Sequence, residues 1–235
     1  MYIEKNSTII IGLTGSFGSG CSTLAKALEE LGFKRFSLSK IVKEEWQNKN
    51  KNKNIDSAPR FELQNIGNNL RKRYGYDFLA KEISNRANQT VKGKKEKRVV
   101  FDSIRNTDEI RWLRDNNPNF YLIAVDCSRS IRWERIKQKK YYENGLTESD
   151  FEEDDERDKN QEDPFGQQVK FGQQVQLCVY EADIIINNND NYPNEKAAIK
   201  KLKDKINKLL LERISENGDL KVPILSDINI YTNQV

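Results

Sequence analysis

Two sets of residues carry chemical potential: a glycine-rich run, Gly15-Ser16-Phe17-Gly18-Ser19-Gly20-Cys21-Ser22-Thr23, and a scatter of acids and arginines headed by Asp102, Arg105, Arg132 and Arg135. From Gly15 through Gly20 to Ser22 the spacing is that of G-x-x-x-x-G-K-[ST], a loop whose backbone N–H groups wrap a phosphate chain at a helix N-terminus. Cys21 stands where that motif has its lysine. Gly15, Ser16, Gly18, Ser19, Gly20, Cys21, Ser22 and Thr23 are thus the expected phosphate contacts, with the Ser22 hydroxyl at the Mg²⁺ position.

Phosphoryl transfer also needs an in-line acceptor and positive charge around the transferring group. Asp102 ends the apolar run Val99-Val100-Phe101, where it can hold the metal or orient the acceptor. Arg105, Ser39 and Lys40 fall where an acceptor's phosphate approaches. Arg132 and Arg135 sit a turn apart ahead of an acidic stretch, and Arg157 lies within it. A flap closing over a nucleotide commonly supplies arginines, because the guanidinium fork matches phosphate oxygens.

The missing lysine leaves three alternatives. Lys40, Lys26 or a flap arginine reaches in, and transfer is kept. Or a nucleotide binds through backbone amides and Mg²⁺ with little transfer, as a sensor would. Or the Cys21 thiol is itself functional, its thiolate favoured by the helix N-terminus, although a small residue filling the turn is the simpler reading.

The elements that must position these groups follow from the apolar pattern. Ile9 to Thr14 reads as a buried strand and Ser22 to Leu31 as a helix stopped by Gly32. Phe33 to Leu38 is a short strand followed by a helix through Trp46, and Asn48 to Asn54 is a polar stretch expected to be a mobile loop. Helical spacing recurs over 58–90, broken at Tyr74-Gly75, which marks two acceptor-binding helices. A strand ends at Asp102, a helix starts near Thr107, and Asn119 to Val125 is another continuous apolar strand. After a helix from Ser128, residues 141–165 are an acidic lid insert. Phe165-Gly166-Gln167-Gln168-Val169 and Phe171-Gly172-Gln173-Gln174-Val175 form a tandem repeat expected within one helix. Asp183 to Asn187 is the last strand, a helix follows, and 216–235 is a C-terminal extension to a domain spanning 1–215. Alternating strands and helices of this kind give an α/β fold, an open parallel five-stranded sheet with helices on both faces.

Composition excludes several functions. With no histidine, and three cysteines lacking a C-x-x-C pair, the chain holds neither a Ser-His site nor a His/Cys zinc site. The formal charge of +4 gives no strong nucleic-acid signal, and no run nears the roughly 20 apolar residues that cross a bilayer, so a cytoplasmic protein without a membrane partner is expected. Partners beyond the nucleotide are a second copy of the chain or a separate effector.

Together the motifs resemble P-loop nucleotide kinases of the nucleoside monophosphate kinase type, and Ile11 to Gly15 also resembles dephospho-CoA kinase. The nearest resemblance is to the kinase-like domain fused to deoxycytidylate deaminases, anti-phage deaminases included. It rests on Phe17 to Thr23, Lys34 to Ser39, Phe101 to Asn106, Ala124-Val125-Asp126 with Arg132 to Arg135, Gly172 to Val175, and Ala182 to Asn188, across about residues 8–190. The resemblance implies ATP, or another NTP or dNTP, with Mg²⁺ as cofactors, Asn187 near the nucleotide, and transfer of the γ-phosphate to a nucleoside or deoxynucleoside monophosphate. The second strand ends in Ser37-Leu38-Ser39, without the acids of dephospho-CoA kinases, and the deaminase zinc residues are absent, so deamination is excluded.

Overall fold

A computed structural model describes residues 8–92, 97–138, 147–159 and 172–214. Five parallel strands, β1 (Thr8–Thr14), β2 (Lys34–Ser37), β3 (Lys97–Asp102), β4 (Phe120–Asp126) and β5 (Ile184–Asn187), lie in the order β2-β3-β1-β4-β5. The expected sheet is therefore present, and β1 is flanked on both sides. Its register pairs Ile11 with Val100 on β3 and with Tyr121 on β4.

Strand alternation sorts the core into two layers. Ile10, Val99, Phe101, Phe120 and Leu122 face one side, where α2 (Leu38–Lys49), α4 (Phe78–Val91) and α5 (Thr107–Asn116) cover them with Leu38, Ile41, Leu79, Ile83 and Ile110. Ile11, Leu13, Val100, Ile123 and Val125 face the other, under α1 (Cys21–Glu30) and α9 (Glu195–Ile214). In α1 the buried set Leu24, Ala25, Ala27, Leu28 forms the i, i+3, i+4 stripe that packing on a sheet requires.

Two expectations change. The polar stretch after Trp46 is not a loose loop: α2 runs to Lys49, and the Gln47 amide donates to the carbonyls of Asn50 and Lys53, tying the turn that follows. The second copy of the repeat is not helical through its length, because Gly172 to Gln174 form an irregular connector and α8 (Val175–Tyr180) begins only at its valine. The connector is pinned from outside: Gln174 Oε1 accepts from the Thr107 hydroxyl at 3.0 Å and Gln174 N–H donates to the Arg105 carbonyl at 2.7 Å. The first copy, the tail 216–235 and parts of the 141–165 insert lie outside the described residues. Within the insert, α7 (Glu148–Lys159) is the expected acidic helix.

The segment after β3 is set by one buried carboxylate. Glu109 completes a capping box with Asn106, accepting from the N–H groups of Arg105 and Asn106 at 3.0 and 3.2 Å. Its other oxygen pairs with Arg71 on α3 (Arg60–Tyr74) at 2.7 Å, with both side chains almost fully buried. Glu109→Ala removes the cap and strands the Arg71 charge, so we expect a loss of about 3–5 kcal/mol in urea denaturation; a loss under about 1 kcal/mol would mean that the pair does not organise this segment.

Candidate functional site

The glycine loop leaves the carboxyl end of β1 and closes on the N-terminus of α1. Gly20 caps that helix with φ 110°, and no side chain caps the exposed amides, which leaves them directed at whatever anion the cleft receives. A Cβ on Gly20 would stand 2.4 Å from Asn188 Nδ2, and one on Gly15 2.5 Å from the Val125 carbonyl oxygen. Glycine is thus required by the floor of the loop as well as by its backbone angles.

Arg132 and Arg135 hold this loop from outside. Arg132 donates to the Phe17 carbonyl at 2.9 Å and the Cys127 carbonyl at 3.1 Å, and it forks onto Asp155 at 2.5 and 2.9 Å. Arg135 donates to the carbonyls of Ser19, Asn188 and Asp190. Neither lines the cleft over the loop, so α6 (Arg129–Lys137) gives the loop backing. Asn188, beside the expected Asn187, donates to Ser19 O at 2.8 Å, whereas the Asn187 side chain accepts from Asn189 N–H at 3.1 Å and does not line the cleft.

That cleft, about 490 Å³, gathers Gly15, Ser16, Gly18, Gly20, Cys21, Ser22 and Thr23 with Ser39, Asp102 and Arg105. It also brings in Lys43 and Arg60, which the sequence reading missed. Lys40 is exposed and outside the lining, one helical turn from Lys43; Lys26 pairs with Glu195 at 2.7 Å, and Arg157 with Glu153 at 2.7 Å on the outer face of α7. No lysine from these positions replaces the one missing at 21. The Cys21 thiol instead donates to the Thr14 carbonyl at 3.1 Å, and Ser19 Oγ is 3.5 Å away. Burial pushes its pKa up to about 11, the Ser19 contact opposing only in part. A thiol so placed fills the turn.

Asp102 is buried, and its carboxylate accepts from Arg35 on β2 and from Ser103 Oγ at 3.3 Å. Ser103 takes φ 71°, a conformation uncommon for serine. Arg35 was not singled out by motif; the signal available was its position on the strand next to β3, opposite Val100.

Helix α7 docks on the loop by a single face. Of its described residues only Phe151, Asp155 and Asp158 are buried, at i, i+4, i+7. Phe151 packs on Phe17 at 6.0 Å and Trp133 at 5.5 Å between centroids. Asp155 takes Arg132. Asp158 takes Arg60, Arg105 (2.7 Å) and the Gln64 amide (2.7 Å), while the Arg60 guanidinium also lies 3.8 Å over the Phe17 ring. Burial disfavours ionisation of Asp158, but the charges of Arg105 and Arg60 and the Gln64 hydrogen bond overcome it and hold the carboxyl below the usual carboxylate range.

A family of AAA domains matches residues 11–160. The chain belongs to that family. A UPF0200 protein of Thermococcus kodakarensis is 28% identical over 200 residues, covering 84% of this chain and 98% of its own. One of Sulfurisphaera tokodaii is 30% identical over 138 residues, covering 59% of this chain and 70% of its own. Among solved structures, a shikimate kinase from Bacteroides thetaiotaomicron aligns with TM-score 0.49 and 14% identity over 86% of this chain and 98% of its own. The AAA domain described here is an open, five-stranded parallel sheet with its glycine loop inside the matched region.

The Cys21 geometry makes a kinetic prediction. With its pKa moved from 9.0 to about 11, the thiolate fraction at pH 8 falls about 100-fold. Iodoacetamide labelling of Cys21, mapped by mass spectrometry, is expected to be slow at pH 8 and to rise steadily to pH 10; fast labelling at pH 7 would revive the functional-thiol alternative.

Proposed function

We propose that this AAA domain binds ATP, or another NTP or dNTP, with Mg²⁺ at its glycine loop and passes the γ-phosphoryl group to a nucleoside or deoxynucleoside monophosphate. The observation that carries this reading is that two cavities border one another across shared residues. The cleft over the loop and a cavity of about 80 Å³ against α2 and α3 share Ser39, Arg60, Leu63, Ser103 and Arg105. In-line transfer needs donor and acceptor phosphates in one channel, with cations where they meet.

In this reading the loop amides and the α1 N-terminus hold the donor phosphates. Ser22 and Asp102 would hold Mg²⁺, which neutralises developing charge. A hydroxyl and a carboxylate are hard oxygen donors, and Mg²⁺ on a phosphate chain takes only one or two protein ligands. The absence of any cluster of three acid, Cys or His ligands among the described residues is compatible with that mode. Arg105 and Arg60 face the acceptor phosphate with Ser39 beside them. The resemblance to deaminase-fused kinase-like domains favours a deoxynucleotide. Arg132 and Arg135 act on the loop's position, and Arg157 and Lys40 are left outside the chemistry.

Cys21 supports a second reading, a nucleotide sensor of the sort that phage defence or another effector system would use, since the lysine charge has no substitute on the loop. A turnover screen of ribo- and deoxynucleoside monophosphates with ATP and Mg²⁺ separates the two. The kinase reading expects diphosphate products that vanish with EDTA, a fall in kcat/KM of about 100-fold or more for Asp102→Asn and Arg105→Ala, and a gain of about tenfold for Cys21→Lys. No turnover with any acceptor, alongside ATP or dNTP binding in calorimetry, would leave only the sensor.

A further inference from the structure

The lid of this AAA domain puts an acid where a flap over phosphate is expected to put arginine. We propose that Asp158 is a tethered competitor for a phosphoryl-binding seat formed by Arg60, Gln64 and Arg105, so that a ligand must displace α7 to occupy it. This rests on the reading above in one respect, that the shared edge of the two cavities is where an acceptor's phosphate belongs.

Charge and geometry both identify the seat as wanting more than it has. Two guanidinium groups converge on Asp158 and both reach the same oxygen, Oδ2, leaving Gln64 Nε2 for Oδ1, with Asp154 farther from Arg60. Arg60 Nε is buried with no hydrogen-bond partner, and Asp154 Oδ2 lies 4.0 Å from it. A planar carboxylate offers two oxygens to this cluster. A phosphoryl group offers three in a tetrahedron and up to twice the charge, which suits two guanidinium forks set around it. Arg60 and Arg105 line both cavities, so the seat opens to ligand on either side of the junction.

The lid is built to leave. Its twelve residues include eight acids, and the buried face has one apolar side chain, Phe151, beside two charged ones. A helix docked for structure alone would bury an apolar stripe. One held by ion pairs releases when a stronger anion takes its cations.

The test is calorimetric titration of inorganic phosphate into the full chain without ATP. Asp158→Asn, nearly isosteric, removes the competing charge. If the latch is closed about nine-tenths of the time, the variant binds phosphate about tenfold tighter than the parent, and adding Arg60→Ala to it abolishes the gain. Hydrogen exchange on the unmodified protein gives an independent readout: saturating phosphate should speed exchange of the α7 amides. Phosphate affinity in Asp158→Asn equal to or below that of the parent, or α7 exchange unchanged or slowed by phosphate, would overturn the proposal. Tighter phosphate binding without kinase turnover sinks the kinase reading alone, and turnover with unaltered phosphate affinity sinks this one alone.

Discussion

The glycine loop has almost no free volume beneath it, and the rest of the site is arranged by that constraint. Val125 O under Gly15 and the Asn188 amide under Gly20 stand closer than any side chain on those residues would permit. The ends of β4 and β5 therefore reach the loop directly, and α6 closes it with the guanidinium groups of Arg132 and Arg135 on its carbonyls. Carbonyls that are tied down from outside leave the N–H groups of the same peptides facing inward, which is the polarity an anion needs. The loop is thereby organised for an anion by its neighbours, before any cation on the loop contributes.

Positive charge enters the cleft from other elements: Lys43 on α2, Arg60 on α3 and Arg105 after β3. Each has a counter-ion in this state. Lys43 lies 3.5 Å from Asp56, and Arg60 and Arg105 share Asp158, while Arg35 accompanies Asp102. Desolvated cations of this kind persist only with partners, and the partner of two of them is carried on a helix that presents little apolar surface. The electrostatics of the cleft are thereby tied to the docking of α7.

The fold was legible because short apolar runs rich in β-branched and aromatic residues, Ile9 to Leu13, Val99 to Phe101 and Phe120 to Val125, alternate with longer helical patterns, as buried parallel strands do, and the loop was legible because its glycine spacing is set by backbone geometry. Asp102, Arg105 and Ser39 could be found from strand ends, since side chains there meet at one edge of a parallel sheet. Lys43 was missed for Lys40 because residues on a helix one turn apart look equivalent until the crossing angle of α2 is known. Arg132 and Arg135 were read as phosphate ligands when their partners are loop carbonyls; residue type signals an oxygen acceptor without saying whose oxygen it is. Asp155 and Asp158 were hidden among like residues, for composition alone cannot separate a buried acid from a solvated one. The discriminating signal was the i, i+4, i+7 spacing from Phe151, the one apolar residue of α7.

Replacing lysine by cysteine changes where phosphate affinity comes from. A loop lysine travels with the donor site and is neutral toward the acceptor. Without it, the cations lining the cleft are Lys43, Arg60 and Arg105, and the last two also border the second cavity. Any charge that engages them on one side alters the field on the other, at separations where a low-dielectric cleft screens little. On the proposed kinase reading, donor, acceptor and the Asp158 carboxylate draw on the same two guanidinium groups, because Cys21, bonded back to Thr14, adds no charge of its own.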